Sequence, residues 1–338
     1  MSKCFRGRIH QKTEASSLVV RTPEGQSPKL VKESIPVPAP GPGQVLVKVS
    51  HVAQNPTDVQ SFDSNAFGDG TVLGCDFVGE VVQIGVGVTR LTKGDIVGAL
   101  IWGGETKGLG AYSEYCLTDQ RIAFKVPTAL SREDASTIPL AAATAWLALF
   151  SPDCLNLDRT NAQGTSVLVW GGSTSVGLYS IQIASLYGFD VIATCSPHNA
   201  ELVRSYVAPN IYHVFDTVGN QGSSLTASRV LGSRQGSICT VRPGKANTEG
   251  ISEKAHVTDV LVWTAFLKEH RYGNFHWPTS ERDHELTIEL FEKLGPWLEE
   301  GMLKPNATKV LSGLDAVSGG FQKYRDRKTS AYRIVYQI

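Results

Sequence analysis

Residues 167–177 read VLVWGGSTSVG, with three hydroxyl side chains, Ser173, Thr174 and Ser175, set between Gly172 and Val176. Glycines and small hydroxyl residues in a tight turn are suited to phosphate. Glycine lets the backbone approach the anion, and the hydroxyls add donors to free N–H groups. The apolar run before the turn predicts a buried strand over 167–170. Apolar Leu178, Ile181, Ile183, Ala184 and Leu186 after it predict a helix over about 176–187. Strand, turn and helix are the start of a dinucleotide site, with the pyrophosphate on the helix N-terminus. The strict G-x-G-x-x-G spelling is absent, and Thr174 stands in the place of the middle glycine. Taken alone, the stretch also fits a plain sheet turn that needs flexible residues.

A second group lies about 20 residues further on, where an NAD site carries a carboxylate for the ribose 2′-hydroxyl. Here the chain reads ATCSPHN, without an acid. Ser196, His198 and Asn199 can donate hydrogen bonds to a 2′-phosphate, and Arg204 can supply a counter-charge, so NADPH is the expected cofactor. Ser196 and Asn199 also suit a helix cap. A third group is dispersed. Asn55 and Thr57 in QNPTD can bind ribose or substrate, although Asn-Pro is equally a turn signal. Tyr112 and Tyr115 alternate with Ser113 and Glu114 on an expected strand, a pattern that suits core residues better than catalytic ones.

Composition narrows the function classes. The 338 residues hold 32 basic and 32 acidic side chains, so net charge is zero. That is no electrostatic footprint for nucleic acid or an anionic membrane. No apolar run reaches the ~20 residues of a membrane span, and the first 17 residues lack a signal-peptide core, so a cytosolic protein is expected. Cys4, Cys75, Cys116, Cys154, Cys195 and Cys239 are scattered without C-x-x-C spacing, which argues against a disulfide framework and a zinc lobe.

The elements that must position these groups change character along the chain. Residues 17–60 and 71–126 alternate short strand-like runs with glycine and proline turns, as a barrel-like β domain does. Ser131 then opens a helical run, SREDASTIPLAAATAWLALF, with acids in its first turn. Strands over 167–170, 190–195, 211–215 and 236–241 alternate with helices, one over about 200–206, giving a parallel, doubly wound sheet. A helical segment is expected over 256–268 and another helix in LTIELFEKLGPWLEEG. The terminal YRIVYQI is strand-like and able to return to the N-terminal β domain.

Eight segments in order, PVPAPGPGQVLVKVSHVAQNPTD, LGCDFVGEVVQIGVGV, LTKGDIVGAL, GAYSEY, AAATAWLAL, VLVWGGSTSVG, VFDTVG and KTSAYRIVYQI, resemble the medium-chain dehydrogenase/reductase superfamily. The resemblance implies an α/β protein of two domains. Residues 1–150 and 296–338 would form a GroES-like, β-rich substrate domain, and 151–295 a Rossmann-type, doubly wound nucleotide-binding domain. Zinc members of that family carry a ligand Cys where this chain has Asn55, and G-H-E where it has Gly74, Cys75 and Asp76. The expectation is therefore a chain without a metal site. GGST, ATCSPHN and QNPTD further resemble stand-alone enoyl reductases acting in trans with fungal polyketide synthases. That implies NADPH-dependent reduction of the α,β double bond of a (poly)ketide acyl thioester held on an acyl-carrier domain, by a monomer or, alternatively, a homodimer.

The same resemblance assigns site residues. Gly172, Ser173, Thr174, Ser175, Val176, Thr144 and Val218 would touch the cofactor together with Ser196, His198, Asn199 and Arg204, with Thr144 near the nicotinamide carboxamide. A mid-helix Thr bonded to the preceding turn is the competing role. Asn55, Gln60, Tyr112 and Thr144 would serve catalysis. Related enoyl reductases often have a lysine at the position of Gln60, whose amide donates a hydrogen bond but no proton. Solvent, Tyr112, Tyr115 or a cofactor ribose hydroxyl are left as proton sources. A free quinone or enone reductase and a non-catalytic nucleotide-binding relative remain alternatives. One departure stands out between ATCSPHN and VFDTVG, where the family has a further strand and helix. Either they are deleted here or residues are missing from the sequence, and RSYVAPN, which joins two segments without a suitable turn, favours the second.

Overall fold

The computed structural model describes residues 12–195, 211–272, 275–329 and 332–338. After β1 (Glu14–Arg21) and β2 (Lys29–Pro36), alternating Val45, Val47 and Val49 build β3 (Gln44–Ala53), whose valines are buried. Helix α1 (Pro56–Asp63) comes next. It is followed by β4 (Thr71–Val72), β5 (Asp76–Ile84), β6 (Ile96–Leu100), β7 (Tyr115–Asp119) and β8 (Ala123–Lys125). β2, β1 and β4 form a small sheet. β3, β5, β6 and β8 form a larger one, with β7 also paired to β3.

Ser131 accepts from the Asp134 N–H and starts α2 (Arg132–Ala135), but the helical run that begins there is split. Pro139 cannot continue a helix from within and instead takes the first position of α3 (Pro139–Phe150), which is buried along its whole length. The chain then runs through β9 (Ser166–Trp170), α4 (Ser175–Leu186), β10 (Asp190–Thr194), β11 (Ile211–Asp216), α5 (Ser223–Ser228), β12 (Gly236–Thr240) and β13 (Ala255–Asp259). These five strands make one parallel sheet in the order β10-β9-β11-β12-β13. From β9 the chain goes to β10 on one side and then returns to β11 on the other. The crevice at the carboxyl ends of β9 and β11 is therefore the switch point where such sheets bind ligands.

The helix expected over 256–268 does not form. Its first part is strand β13, with Val257 and Thr258 opposite Ile238 and Cys239, and a 3-10 turn covers Val262–Ala265. Short apolar runs do not distinguish strand from buried helix by periodicity, and the β-branched Val257 and Thr258 suit the strand. The helix expected at 200–206 and the departure between Tyr206 and Ile211 lie outside the described residues. Among the described residues β10 is the edge of the sheet.

A hairpin of β14 (His270–Tyr272) and β15 (Phe275–Trp277) precedes α6 (Glu281–Glu299), which Ser280 caps. α6 packs on α3, where Trp146 Nε1 donates to the Leu286 carbonyl. The buried apolar residues of α3 and α6 share a core with one face of the parallel sheet, Val167, Phe215 and Cys239, while Leu168, Val214 and Ile238 on its other face belong to a separate cluster. The chain ends in β16 (Thr308–Ser312), α7 (Val317–Arg325) and β17 (Arg333–Gln337). β17 pairs antiparallel with β3, Tyr336 opposite Val52, so YRIVYQI completes the N-terminal sheet. This return sets α7 and Arg333 against α1, from opposite ends of the chain. No helix among the described residues is long and apolar enough to cross a membrane.

Candidate functional site

The carboxyl end of β9 is shaped by three glycines. Gly171 has φ +88°, and a Cβ there would lie 2.5 Å from Val218 Cγ2. A Cβ on Gly172 would come 2.8 Å from the Ala193 Cβ, and one on Gly177 would come 2.3 Å from the Gly171 carbonyl oxygen. The first turn of α4 thus sits directly on the turn after β9, with its free N–H groups facing the switch point. Thr174 is the N-cap, its Oγ1 accepting from the Gly177 N–H at 2.9 Å. The same oxygen lies 2.8 Å from Thr217 Oγ1 across the crevice. Thr217 is itself within donating distance of the Trp170 and Gly171 carbonyls, at 2.8 and 3.0 Å. The Thr217 proton goes to a carbonyl, so Thr174 must donate to Thr217, which leaves it no proton for a phosphate. Ser173 and Ser175 line the cleft, and no acceptor among the described residues takes their protons.

The cleft has two arms, of about 370 and about 300 Å³, and Asn55, Pro56, Thr174, Ser175, Tyr324 and Arg333 line both. Gln60, Thr144, Val176, Val218 and Trp263 face the larger arm, and Ser173 faces the smaller. Val218 is held by Asp216, a fully buried carboxylate that accepts from the N–H groups of Val218 and Gly219 and the hydroxyls of Ser223 and Ser224. Thr144 Oγ1 donates to the Leu140 carbonyl at 2.7 Å and keeps its lone pairs for a donor in the cleft. Gln60 Nε2 donates to Tyr324 Oη at 3.3 Å. Ser196, His198, Asn199 and Arg204 lie outside the described residues.

Tyr112 is a correction to the sequence expectation. Its ring is fully buried against Phe321 and Tyr336, and its hydroxyl donates to Asp58 Oδ2 at 3.0 Å. It does not line either arm. Burial, with Asp58 beside it, holds the phenol well above its usual range. Tyr115 is also absent from the lining.

Beneath the cleft lies a buried charge cluster. Asp76 Oδ1 accepts from the Leu140 N–H at 2.6 Å, in the first turn of α3. Its Oδ2 accepts from Asn55 Nδ2 at 3.0 Å and Arg333 Nη2 at 3.3 Å. Arg333 Nη2 also reaches Asn55 Oδ1 at 2.6 Å. Asp58 Oδ2 accepts from the Asn55 N–H at 2.7 Å. Burial pushes the Asp76 carboxyl up to about 7, against the pull of Arg333, and the Asp58 carboxyl up to about 6, against its hydrogen bonds. Arg333 and Tyr324 were not found by sequence reasoning. Arg333 lies within KTSAYRIVYQI but carries no local signal, and Tyr324 has none at all.

The glycine cradle, the α4 N-terminus and Ser175 suit a dinucleotide pyrophosphate. The zinc-ligand positions do not suit a metal. The Asn55 amide is committed to Asp76 and Arg333, a cation already answers Asp76, and burial drives the Cys75 thiol well above its ordinary value, away from the thiolate a metal needs. Among the described residues no three His, Cys, Asp or Glu side chains converge as a metal site.

Residues 41–128 match the alcohol dehydrogenase GroES-like domain. Dehydrogenase azaJ of Aspergillus niger is 32% identical, over 93% of this chain and 97% of its own length. Trans-enoyl reductase grgB of a Penicillium species is 30% identical, over 83% of this chain and 86% of its own. An alcohol dehydrogenase superfamily protein from Novosphingobium aromaticivorans shares the fold, with TM-score 0.75 at 24% identity over 96% of this chain and 99% of that one.

Two outcomes follow from this geometry. Gly177→Ala gains up to ~1 kcal/mol of helix propensity, but its Cβ meets a backbone oxygen that cannot move aside. Urea unfolding should show a net loss of about 1–2 kcal/mol. Asp58 binds its proton more tightly folded than unfolded, so it removes stability as pH rises from about 4 to about 6. Relative to Asp58→Asn, the wild type should lose about 2 kcal/mol of unfolding free energy across that window. Parallel pH curves for the two proteins would refute this.

Proposed function

The chain belongs to the medium-chain dehydrogenase/reductase family, and on that premise we propose that it is an NADPH-dependent, zinc-independent enoyl reductase that saturates the α,β double bond of a (poly)ketide acyl thioester. The observation that supports this most is one cleft joining a phosphate cradle to an arm walled by Thr144, Val218 and Trp263, with the zinc-ligand positions closed by the Asn55–Asp76–Arg333 contacts. The substrate is carried on an acyl-carrier domain of a polyketide synthase, for which the Penicillium relative's name, a trans-enoyl reductase, is the support, and in this proposal the enzyme works as a cytosolic monomer. Residues 1–150 and 296–338 form the substrate domain and 151–295 the nucleotide domain.

In this proposal the α4 N-terminus, Ser173 and Ser175 bind the pyrophosphate, and Thr174 holds the turn that presents them. Ser196, His198, Asn199 and Arg204 bind the 2′-phosphate. Thr144 Oγ1, its proton committed to Leu140, accepts from the carboxamide. Val176 and Val218 wall the ring, and Asp216 fixes Val218. The bound reduced nicotinamide supplies hydride to the β carbon of the substrate. Charge then grows on the thioester oxygen, which needs a donor in an arm partly lined by apolar Val260, Leu261, Val262 and Trp263. A further pocket of about 360 Å³, lined in part by Trp102, Phe275 and Trp277, shares Thr57, Gln60, Leu261 and Trp263 with this arm and suits an apolar acyl chain.

The test is NADPH oxidation with one enoyl group offered on a carrier domain and on a short thiol. Turnover at least tenfold faster from the carrier supports the proposal. Reduction of quinones alone would favour the free quinone reductase, and no oxidation with any acceptor would favour the non-catalytic relative. Thr144→Val removes one neutral hydrogen bond, about 0.5–1.5 kcal/mol, and should raise KM for NADPH roughly 2–10-fold. Its melting temperature should move by only a few degrees, because the bond lost within the protein is a back-bond from Oγ1 to the carbonyl of the preceding turn.

A further inference from the structure

Tyr324 stands where the two arms of the cleft meet, on the last turn of α7. Its position is set by α1. Gln60 Nε2 donates to its hydroxyl at 3.3 Å. The next residue, Arg325, has its Nε 3.1 Å from both Asp63 carboxylate oxygens, and its guanidinium lies over the Phe62 ring, 5.8 Å from the centroid. Phe62 meets Phe321 edge-on at 5.7 Å. Two helices from opposite ends of the chain are thus clamped by an ion pair, a ring contact and the Gln60–Tyr324 hydrogen bond.

That hydrogen bond has a direction with consequences. A phenol that accepts from an amide keeps its own proton for another acceptor, and among the described residues none takes it. The other sources considered within the protein are ruled out by position, since Tyr112 donates to Asp58 and Tyr115 is outside the cleft. Gln60 has no proton to give. We propose that Tyr324 is the acid that serves the thioester oxygen during double-bond reduction, and that Gln60 is the positioning residue that turns its O–H into the cleft. This inference rests on the enoyl reductase assignment.

The step balances as follows. As hydride forms the new C–H bond at the β carbon, the π pair shifts and charge collects on the thioester oxygen. The Tyr324 O–H bond breaks and its proton moves to that oxygen, giving an enol and a phenolate. The enol then takes a solvent proton at its α carbon and returns the oxygen-bound proton to Tyr324. In all the substrate gains one hydride and one solvent proton, that is two electrons and two protons, Tyr324 ends as it began, and the nicotinamide is oxidised.

Tyr324→Phe, Gln60→Leu and the double variant Tyr324→Phe/Gln60→Lys test this on the full chain. Tyr324→Phe should lower kcat on the carrier-bound enoyl substrate about 100-fold or more, with NADPH affinity and melting temperature unchanged. Gln60→Leu should lose less, and the lysine of the double variant should recover at least tenfold of the loss in Tyr324→Phe. A readout without turnover is the infrared carbonyl stretch of a bound saturated acyl thioester, lower on the wild type than on Tyr324→Phe. If wild type reduces the substrate and Tyr324→Phe does so within threefold, or the two stretches coincide, the role of Tyr324 is overturned while the enoyl reductase assignment stands. If wild type neither binds nor reduces any enoyl thioester, that assignment fails and this inference with it.

Discussion

The buried carboxylate of Asp76 is the point on which the site depends. It takes an N–H from the first turn of α3, the amide of Asn55 at the start of α1 and the guanidinium of Arg333 on β17. Three elements far apart in sequence therefore meet at one side chain that is fully buried. The Leu140 N–H at the start of α3 and Arg333 both favour the charged form, but burial outweighs them and leaves the carboxyl titrating at about 7. Such a pair adds little net stability, but removing one member leaves the other uncompensated, at about 3–5 kcal/mol. Its value lies in fixing where Asn55, Leu140 and Arg333 stand, and all of these line the cleft.

The opposite wall is organised by a second buried acid. Asp216 gathers two N–H groups and two hydroxyls and so fixes the turn after β11. Thr217 on that turn joins Thr174 on the turn after β9, so the two sides of the switch point are tied by a hydroxyl-to-hydroxyl bond. Gly171 must be glycine both for its positive φ and because Val218 and Thr217 crowd the place of a Cβ. The cradle and the Val218 wall of the larger arm are joined to each other for this reason.

Local pattern made much of this legible. Alternation marked β3, the apolar run into glycines marked β9 and α4, and the strand-like terminus marked β17. Residues 256–268 were misread because a short apolar run does not tell strand from helix by periodicity, and β13, an edge strand among the described residues in which only Thr258 is buried, is set apart only by its pairing with β12. Pro139, visible in the sequence, marks where the expected single helix divides. Arg333 and Tyr324 were invisible because nothing near either residue hints at a partner more than 250 positions away.

Hydroxyl residues carry the sharper lesson, since each has only one proton. Thr174, Thr144 and Tyr112 are the right type at the right spacing to donate, yet each proton is committed elsewhere, to Thr217, to Leu140 and to Asp58. Two of these residues still line the cleft, but as acceptors or as braces. A hydroxyl that receives a hydrogen bond, as Tyr324 does from Gln60, is in the reverse situation, with an oxygen engaged and a proton at liberty. The glutamine at position 60 therefore reads as a lost acid only when taken alone. Paired with a phenol from α7 it supplies what an amide cannot, because the donor to the substrate and the group that aims it have become two residues on two helices.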